Sequence, residues 1–117
     1  MPAAGKIVVP GFRGSGLWCG IRKKRKLDLA IVVSDRPCTS AVLFTRNRVA
    51  AAPVEWGRHL RSRSALRGVI ANSGNANACT GKEGLSAVRK ISAKACGSLG
   101  LTDGSLLVSS TGVIGVP

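Results

Sequence analysis

The sequence predicts a mixed α/β domain in which helices cover a sheet on at least one face. Short apolar runs bounded by Gly, Pro, Asn or Asp recur along the chain, as is typical of strands separated by turns. One longer segment, residues 81–99, carries apolar residues at helical spacing. Because it lies between two apolar runs, residues 68–72 and 105–109, it predicts a strand–helix–strand unit. The length of 117 residues suits one small domain.

Strands and loops dominate the prediction for the first third of the chain. Residues 6–9 form a short strand candidate that a Pro-Gly pair ends, and the glycine-rich residues 11–20 are expected to form a loop. Residues 27–34 are the clearest strand, because apolar side chains alternate along them until a turn follows.

The next stretch predicts another strand and a short helix. Residues 40–45 are expected to pair with residues 27–34 in an antiparallel hairpin. Residues 50–55 are expected to be extended, with Pro53 at a sheet edge or a strand start. Residues 55–67 have apolar residues about one helical turn apart and predict a short basic helix.

The long helix has sequence signals at both of its ends. Thr80 and Glu83 fit a capping box, in which each side chain binds a free backbone amide of the first turn. Gly100 is expected to provide the C-cap. The helix is therefore predicted to run from residue 81 to about residue 99.

Two glycine-rich segments follow the predicted strands on either side of the long helix. If these strands are parallel neighbours, both segments lie at the carboxyl edge of the sheet, where ligands usually bind. At Thr111 and Gly112 a hydroxyl and an unobstructed backbone amide lie close together, which suits the binding of an oxyanion. For residues 72–77 two interpretations stay open, a turn capped by its own Asn side chains and a ligand-facing nest.

The chain is strongly basic, with a net charge of +13, and most of its Lys and Arg residues precede Gly68. Residues 22–26 are consecutive bases, a pattern found in nucleic-acid-binding patches and also in solvated hairpin tips. No aromatic residue alternates with these bases, as a stacking platform for single strands would require. We expect a hairpin tip, and a basic nucleic-acid-binding module is the alternative hypothesis from a different functional class.

No metal site and no membrane segment are predicted. The four cysteines are widely spaced and His59 is the only histidine, so the pattern does not favour zinc. We expect the cysteines to be reduced apolar fillers and His59 to lie on the surface. The apolar runs are too short to span a membrane, and the first of them is too short for a signal peptide, which favours a cytoplasmic protein.

Several blocks, in the right order, resemble the bifunctional ornithine acetyltransferases (glutamate N-acetyltransferase / N-acetylglutamate synthase). The most distinctive block is Asn72-Ser73-Gly74-Asn75-Ala76-Asn77, followed by Thr80-Gly81. Ser110-Thr111-Gly112-Val113-Ile114-Gly115 resembles the block that contains the family's oxyanion hole. The remaining blocks are Gly11-Phe12, Gly20-Ile21, Asp28-Leu29-Ala30-Ile31, Ser34-Asp35, Phe44-Thr45-Arg46-Asn47 and Ala51-Ala52-Pro53-Val54.

The resemblance implies an acetyltransferase of arginine biosynthesis with an N-terminal-nucleophile-type fold. It implies transfer of an acetyl group from N-acetylornithine to glutamate, with acetyl-CoA as a further candidate donor and with no cofactor. Family members cleave themselves before a threonine, which becomes the N-terminus of a β chain and carries the acetyl group as an ester. The Thr111 hydroxyl and the Gly112 backbone N–H match the oxyanion hole that stabilises the tetrahedral intermediate.

None of the threonines in this chain matches the nucleophile of that family. We therefore expect residues 1–117 to form a single domain, the N-terminal part of an α chain, with the fold incomplete and with no activity alone. The expected partner is the β chain with the threonine nucleophile, in an α/β hetero-oligomer, and neither nucleic acid nor a membrane is an expected partner. An aminopeptidase of the related self-cleaving fold is the nearer alternative.

Overall fold

The computed structural model describes residues 8–60 and 65–117, which form a four-stranded sheet and two helices. The elements in chain order are β1 (Phe12–Leu17), β2 (Leu29–Ser34), α1 (Ala52–Arg58), β3 (Gly68–Asn75), α2 (Gly81–Ser98) and β4 (Leu106–Val113). This mixed α/β architecture confirms the fold class that the sequence predicts.

The sheet has the strand order β1-β2-β3-β4. Strands β1 and β2 form an antiparallel hairpin, β2 and β3 also pair antiparallel, and β3 and β4 pair parallel. Because β3 and β4 are parallel neighbours that α2 connects, their carboxyl ends meet at one edge of the sheet. The predicted strand–helix–strand unit is therefore confirmed.

The core lies between the sheet and the two helices, which contact each other and β4. Its α2 contribution comes from Val88, Ser92 and Cys96, which are buried and lie one helical turn apart. The buried apolar residues form two clusters, one of Ala52, Ile70, Val88 and Val108 and the other of Val33, Cys96 and Leu106. This packing holds β4 and α2 in place relative to each other.

Two predictions for the start of the chain are wrong. Residues 12–17 form β1 rather than a glycine-rich loop, because β1 pairs with β2 along its whole length. Pairing with a neighbouring strand imposes the extended backbone that glycines do not favour by themselves. Of the strand predicted at residues 6–9, residues 8 and 9 form none, and residues 6 and 7 lie outside the described residues.

The strand predicted at residues 40–45 is also wrong. The clear strand beside it, β2, has β1 on one edge and β3 on the other. No edge of β2 is left to form the predicted hairpin, so residues 40–45 are irregular.

Helix α1 replaces the extended segment predicted at residues 50–55. Pro53 lies in the first turn of α1, where its missing N–H group is not needed and its restricted φ suits a helix. The helix ends at Arg58, so the basic helix predicted over residues 55–67 begins earlier and ends sooner than expected. Residues 61–64 of that prediction lie outside the described residues.

Helix α2 closely matches its prediction except at the N-cap. Gly100 follows the C-cap residue with a φ of +66°, the left-handed conformation that glycine adopts without strain. Thr80 occupies the N-cap, but its hydroxyl makes no capping bond and donates instead to Oδ1 of Asn77 at 2.6 Å. The predicted capping box is therefore wrong in its hydrogen bonds.

Within the described ranges, neither helix combines the length and the apolar character that crossing a membrane requires.

Candidate functional site

The carboxyl ends of β3 and β4 lie side by side and bring the two glycine-rich segments together. The parallel register places Ser73 opposite Thr111 and Gly74 opposite Gly112. These residues belong to the last parts of the strands themselves, rather than to turns after them as the sequence predicts. The pairing becomes irregular at Asn75, where the strands bulge.

Gly112 lies where the two strand backbones are too close for a side chain. Its φ is +132°, and a Cβ atom there would lie 2.6 Å from the backbone nitrogen of Asn75 and would overlap the backbone of Gly74. Gly74 has a φ of +111°, and a Cβ atom there would lie 2.7 Å from Cγ2 of Ile21. Glycine at both positions allows β4, β3 and the loop that contains Ile21 to pack directly on one another.

A pocket of about 630 Å³ opens at this junction. The ends of β3 and β4 form one side, and the connection between β1 and β2 forms the other. In the described part of the chain, the Thr111 hydroxyl has no hydrogen-bond partner, which leaves it available to a ligand. The lining residues are Ile21, Arg22, Lys23, Lys24, Lys26, Ser73, Gly74, Thr111, Gly112 and Val113.

This lining suits the stabilisation of negative charge rather than proton abstraction. It carries the hydroxyls of Ser73 and Thr111 and four cationic side chains, and its described members include no Asp, Glu, His or Cys. Hydroxyl and backbone donors in a positive potential can stabilise an oxyanion. A general base or an activated nucleophile has to come from outside this lining.

The asparagine side chains of residues 72–77 support this edge of the sheet. Asn72 donates from Nδ2 to the carbonyl of Asn75 at 2.8 Å and accepts from the hydroxyl of Ser110 at 2.6 Å. Asn77 donates from Nδ2 to the carbonyl of Gly84 in α2 at 2.9 Å. Of the two interpretations that the sequence leaves open, these bonds favour capping by the segment's own Asn side chains, at a strand end rather than in a turn. The two residues between Asn72 and Asn75 nevertheless line the pocket.

The basic loop (residues 18–28) is the hairpin tip that the sequence predicts. It connects the antiparallel strands β1 and β2, and residues 22–26 are exposed. The sequence contains no signal that this tip lies against Thr111, because the two segments are far apart along the chain. Its part in the pocket is the feature that sequence reasoning missed.

The buried side chain of Asp28 holds the backbone of the basic loop in place. This residue is only 2% exposed. Its Oδ1 accepts a hydrogen bond from the amide of Cys19 at 2.7 Å, and its Oδ2 accepts one from the amide of Arg22 at 2.9 Å. The backbone carbonyl of Asp28 accepts a further bond from the amide of Ser73, which joins the loop to β3.

The pKa of Asp28 reflects this arrangement. Desolvation by burial raises the pKa, but hydrogen bonds from the amides of Arg22, Cys19 and Ile21 outweigh that effect. The pKa is therefore lowered from its ordinary value of 3.8 to about 2. Because the folded state has the lower pKa, the ionised carboxylate stabilises the fold above pH 3.8, and this contribution disappears as the pH falls to about 2.

Asp28→Asn is expected to flatten the pH dependence of the free energy of unfolding between about pH 4 and about pH 2. The reason is that an amide does not titrate, so the charge-dependent stabilisation is absent throughout. Urea denaturation in small pH steps measures this dependence. Asp103→Asn, an exposed change in the turn before β4, serves as the control. It is expected to leave the pH dependence of the free energy of unfolding unchanged in this range. If Asp28→Asn kept the same pH dependence, Asp28 would not be the group responsible for it.

The four cysteines are free thiols, and none of them lines the pocket that contains Thr111. Cys96 is buried as predicted, whereas Cys19 and Cys79 are exposed, so the prediction that the cysteines are apolar fillers is wrong for these two. Desolvation and the neighbouring Asp28 raise the pKa of the Cys19 thiol, which disfavours the reactive thiolate. His59 lies on the surface, as predicted, and is not part of the pocket.

No metal centre is found in residues 8–60 and 65–117, because no three His, Cys, Asp or Glu side chains are grouped to hold an ion.

Known proteins resemble this chain over most of its length. Residues 13–117 match the model of the ArgJ family. The arginine biosynthesis bifunctional protein ArgJ of Geobacter sulfurreducens is 43% identical over 109 residues, which cover 93% of this chain and 28% of that protein. The protein of the same name from Thermotoga neapolitana is 46% identical over 112 residues, which cover 94% of this chain and 28% of that protein.

Two solved structures have the same fold as this chain. The crystal structure of ArgJ from Bacillus halodurans is 36% identical with a TM-score of 0.85, over 92% of this chain and 56% of that chain. The ornithine acetyltransferase of Mycobacterium tuberculosis, solved in complex with ornithine, is 41% identical with a TM-score of 0.82, over 92% of this chain and 58% of that chain. This chain thus spans just over a quarter of the length of the curated relatives, 28%.

Proposed function

This chain belongs to the ArgJ family, and from that premise we propose that it supplies the oxyanion-binding part of an acetyltransferase active site. The proposed reaction transfers an acetyl group from N-acetylornithine to glutamate in arginine biosynthesis. The observation that carries the proposal is the placement of Thr111 and Gly112 at the bulged end of β4, in a pocket with a cationic wall. The similarity to an ornithine acetyltransferase complexed with ornithine supports the choice of substrate.

The proposed chemistry uses a threonine on a separate β chain as the nucleophile. Its hydroxyl attacks the acetyl carbonyl carbon of N-acetylornithine, its own amine takes the proton, and the carbonyl electrons move onto oxygen. The Thr111 hydroxyl and the Gly112 N–H donate hydrogen bonds to that oxyanion. The C–N bond then breaks, the proton passes to the departing ornithine amine, and an acetyl-threonine ester remains.

The second half of the reaction passes through an oxyanion at the same position. The amine of glutamate attacks the ester carbonyl, the same two donors stabilise the negative oxygen, and the threonine hydroxyl leaves with a proton. N-acetylglutamate is the product. The positive potential of the four bases in the pocket lining favours both oxyanions.

In this scheme the chain acts only in an α/β hetero-oligomer, and it is inactive by itself. The pocket lining supports this arrangement, since its described residues include no carboxylate or imidazole that could activate a nucleophile. The scheme needs no cofactor beyond the acetyl donor. A cytoplasmic location, expected from the sequence, remains part of the proposal.

Reconstitution with a polypeptide that includes the β chain tests the proposed function. The chain is coexpressed with the part of the Thermotoga neapolitana relative that follows the region matched here. We expect formation of N-acetylglutamate from N-acetylornithine and glutamate by the assembled pair, and none by either polypeptide alone. Release of amino acids from peptides without acetyl transfer would instead support the aminopeptidase alternative and contradict the proposal.

A further inference from the structure

Four of the five bases at residues 22–26 lie on one wall of the pocket that contains Thr111 and Gly112. These four are Arg22, Lys23, Lys24 and Lys26. The fifth, Arg25, is directed elsewhere, with its guanidinium 5.3 Å from the centre of the Trp18 ring. The basic run is therefore divided between one residue that packs on the loop itself and four that face a cavity.

Three separate contacts hold this wall against the strand ends. The loop packs so closely on Gly74 that a Cβ atom there would lie 2.7 Å from Ile21 and 3.1 Å from Cγ of Arg22. The buried carboxylate of Asp28 binds the amides of Cys19 and Arg22. The indole Nε1 of Trp18 donates to the carbonyl of Arg22 at 2.9 Å. The cations are thus presented by an ordered loop.

The cations on this wall have no anionic partner in the described part of the chain. The ion pair found there joins Arg13 and Asp35, at the opposite end of the β1–β2 hairpin. Asp28, the acid nearest to the bases in sequence, uses both oxygens for backbone amides. Several like charges within a Debye length, about 10 Å at 0.1 M salt, repel one another, and a bound polyanion relieves that repulsion.

We propose that the basic loop is a subsite for the diphosphate group of a small molecule. A carboxylate carries one negative charge and is satisfied by one base, whereas a diphosphate carries several and matches a wall of four cations. Lysine suits this ligand because its ammonium is a compact charge with three donors on a flexible stem. Neither N-acetylornithine nor glutamate contains phosphate, whereas acetyl-CoA, the further candidate donor, does, so the subsite adds a class of ligand to the proposed function on which it rests.

Two sources could supply the same chemistry, a phosphate-bearing acyl donor and a free nucleotide. The pocket is continuous from the bases to Thr111, so a ligand that binds the bases through its diphosphate can extend along the pocket toward Thr111. Coenzyme A and ADP, used as separate probes, distinguish the two sources. Duplex nucleic acid also presents phosphates, but these four bases line a pocket that reaches Thr111 and Gly112.

Calorimetric titration of the coexpressed pair with inorganic pyrophosphate tests the subsite. We expect saturable binding that weakens as salt rises. The variant with Lys23→Gln, Lys24→Gln and Lys26→Gln is expected to raise the dissociation constant about tenfold, because three exposed charge contacts of modest strength are removed. The matched control carries Lys82→Gln, Lys90→Gln and Lys94→Gln on exposed positions of α2 and is expected to bind like the unmodified chain.

The outcomes separate the sources and also separate this proposal from the acetyltransferase proposal. Tighter binding of coenzyme A than of ADP identifies an acyl donor, and the reverse order identifies a free nucleotide. The subsite proposal is overturned if pyrophosphate shows no saturable binding, or if the control variant binds it as weakly as the variant of the basic loop. It is also overturned if the protein binds duplex DNA and pyrophosphate does not compete with that binding. Because binding is measured without catalysis, it can fail while acetyl transfer succeeds, and the converse also holds.

Discussion

Replacing Thr111 by alanine is expected to slow acetyl transfer by the reconstituted enzyme about 10²–10³-fold, because the change removes one of two donors to the oxyanion. The loss is expected mainly in kcat, with little change in KM, since the oxyanion exists in the transition state and not in the bound substrate. Steady-state kinetics with N-acetylornithine and glutamate measure both quantities. The side chain is exposed and has no partner among the described residues, so the fold is expected to tolerate the change.

Thr102→Ala is the matched control for this experiment. Thr102 is exposed in the turn after α2, and its backbone carbonyl, not its hydroxyl, accepts the bond from the amide of Ser105. It is expected to leave the transfer rate unchanged. Thr111→Ser, which keeps the hydroxyl, is expected to retain most of the activity. A normal kcat in Thr111→Ala would remove the basis for assigning this hydroxyl to the oxyanion hole.

Replacing Gly112 by alanine is expected to reduce kcat at least about 100-fold and to destabilise the fold by about 1–3 kcal/mol. The added Cβ would overlap the backbone of Gly74 and lie 2.6 Å from the nitrogen of Asn75, so β4 has to move away from β3. That movement carries the Gly112 N–H away from the oxyanion position. Transfer kinetics and urea denaturation of the same variant measure the two effects.

Gly115→Ala distinguishes this overlap from ordinary backbone strain. Gly115 also has a positive φ, +79°, but a Cβ atom there would meet nothing within 4 Å. It therefore shares the left-handed strain of Gly112 without the overlap, and it is expected to lose some stability while keeping most of the transfer activity. Equal losses of kcat in both variants would show that the close approach of the two strands is not what positions the donor.

Sequence patterns predicted the elements whose signals are local and strong. The alternation in residues 27–34 predicted β2, the apolar run before Asn72 predicted β3, and the helical spacing before Gly100 predicted α2. Each of these segments buries one face or one stripe, so the pattern of side chains directly reports the burial. The same reasoning predicted that the two glycine-rich segments share one edge of the sheet.

The errors occurred where a neighbouring strand, rather than the segment itself, decides the conformation. The glycine-rich residues 12–17 have little strand preference but pair with β2 along their whole length. Residues 40–45 contain an apolar run typical of a short strand, yet β2 has no free edge for them. The conformational preference of a short segment contributes less free energy than the backbone hydrogen bonds it makes in a complete sheet. The sequence does not reveal which segments pair with one another.

For the candidate site, the sequence by itself determined the residue types and the family resemblance. Thr111 and Gly112 were identified from the block Ser110-Thr111-Gly112-Val113-Ile114-Gly115, and the similarity to known proteins then established the family. Only the tertiary structure decided the surroundings of those residues. The parallel register places Gly74 against Gly112, and the contact of Gly74 with the basic loop adds four cations to the pocket. The physical reason is that side-chain periodicity encodes which face is buried, whereas contacts between distant segments depend on packing that forms only when the whole sheet assembles.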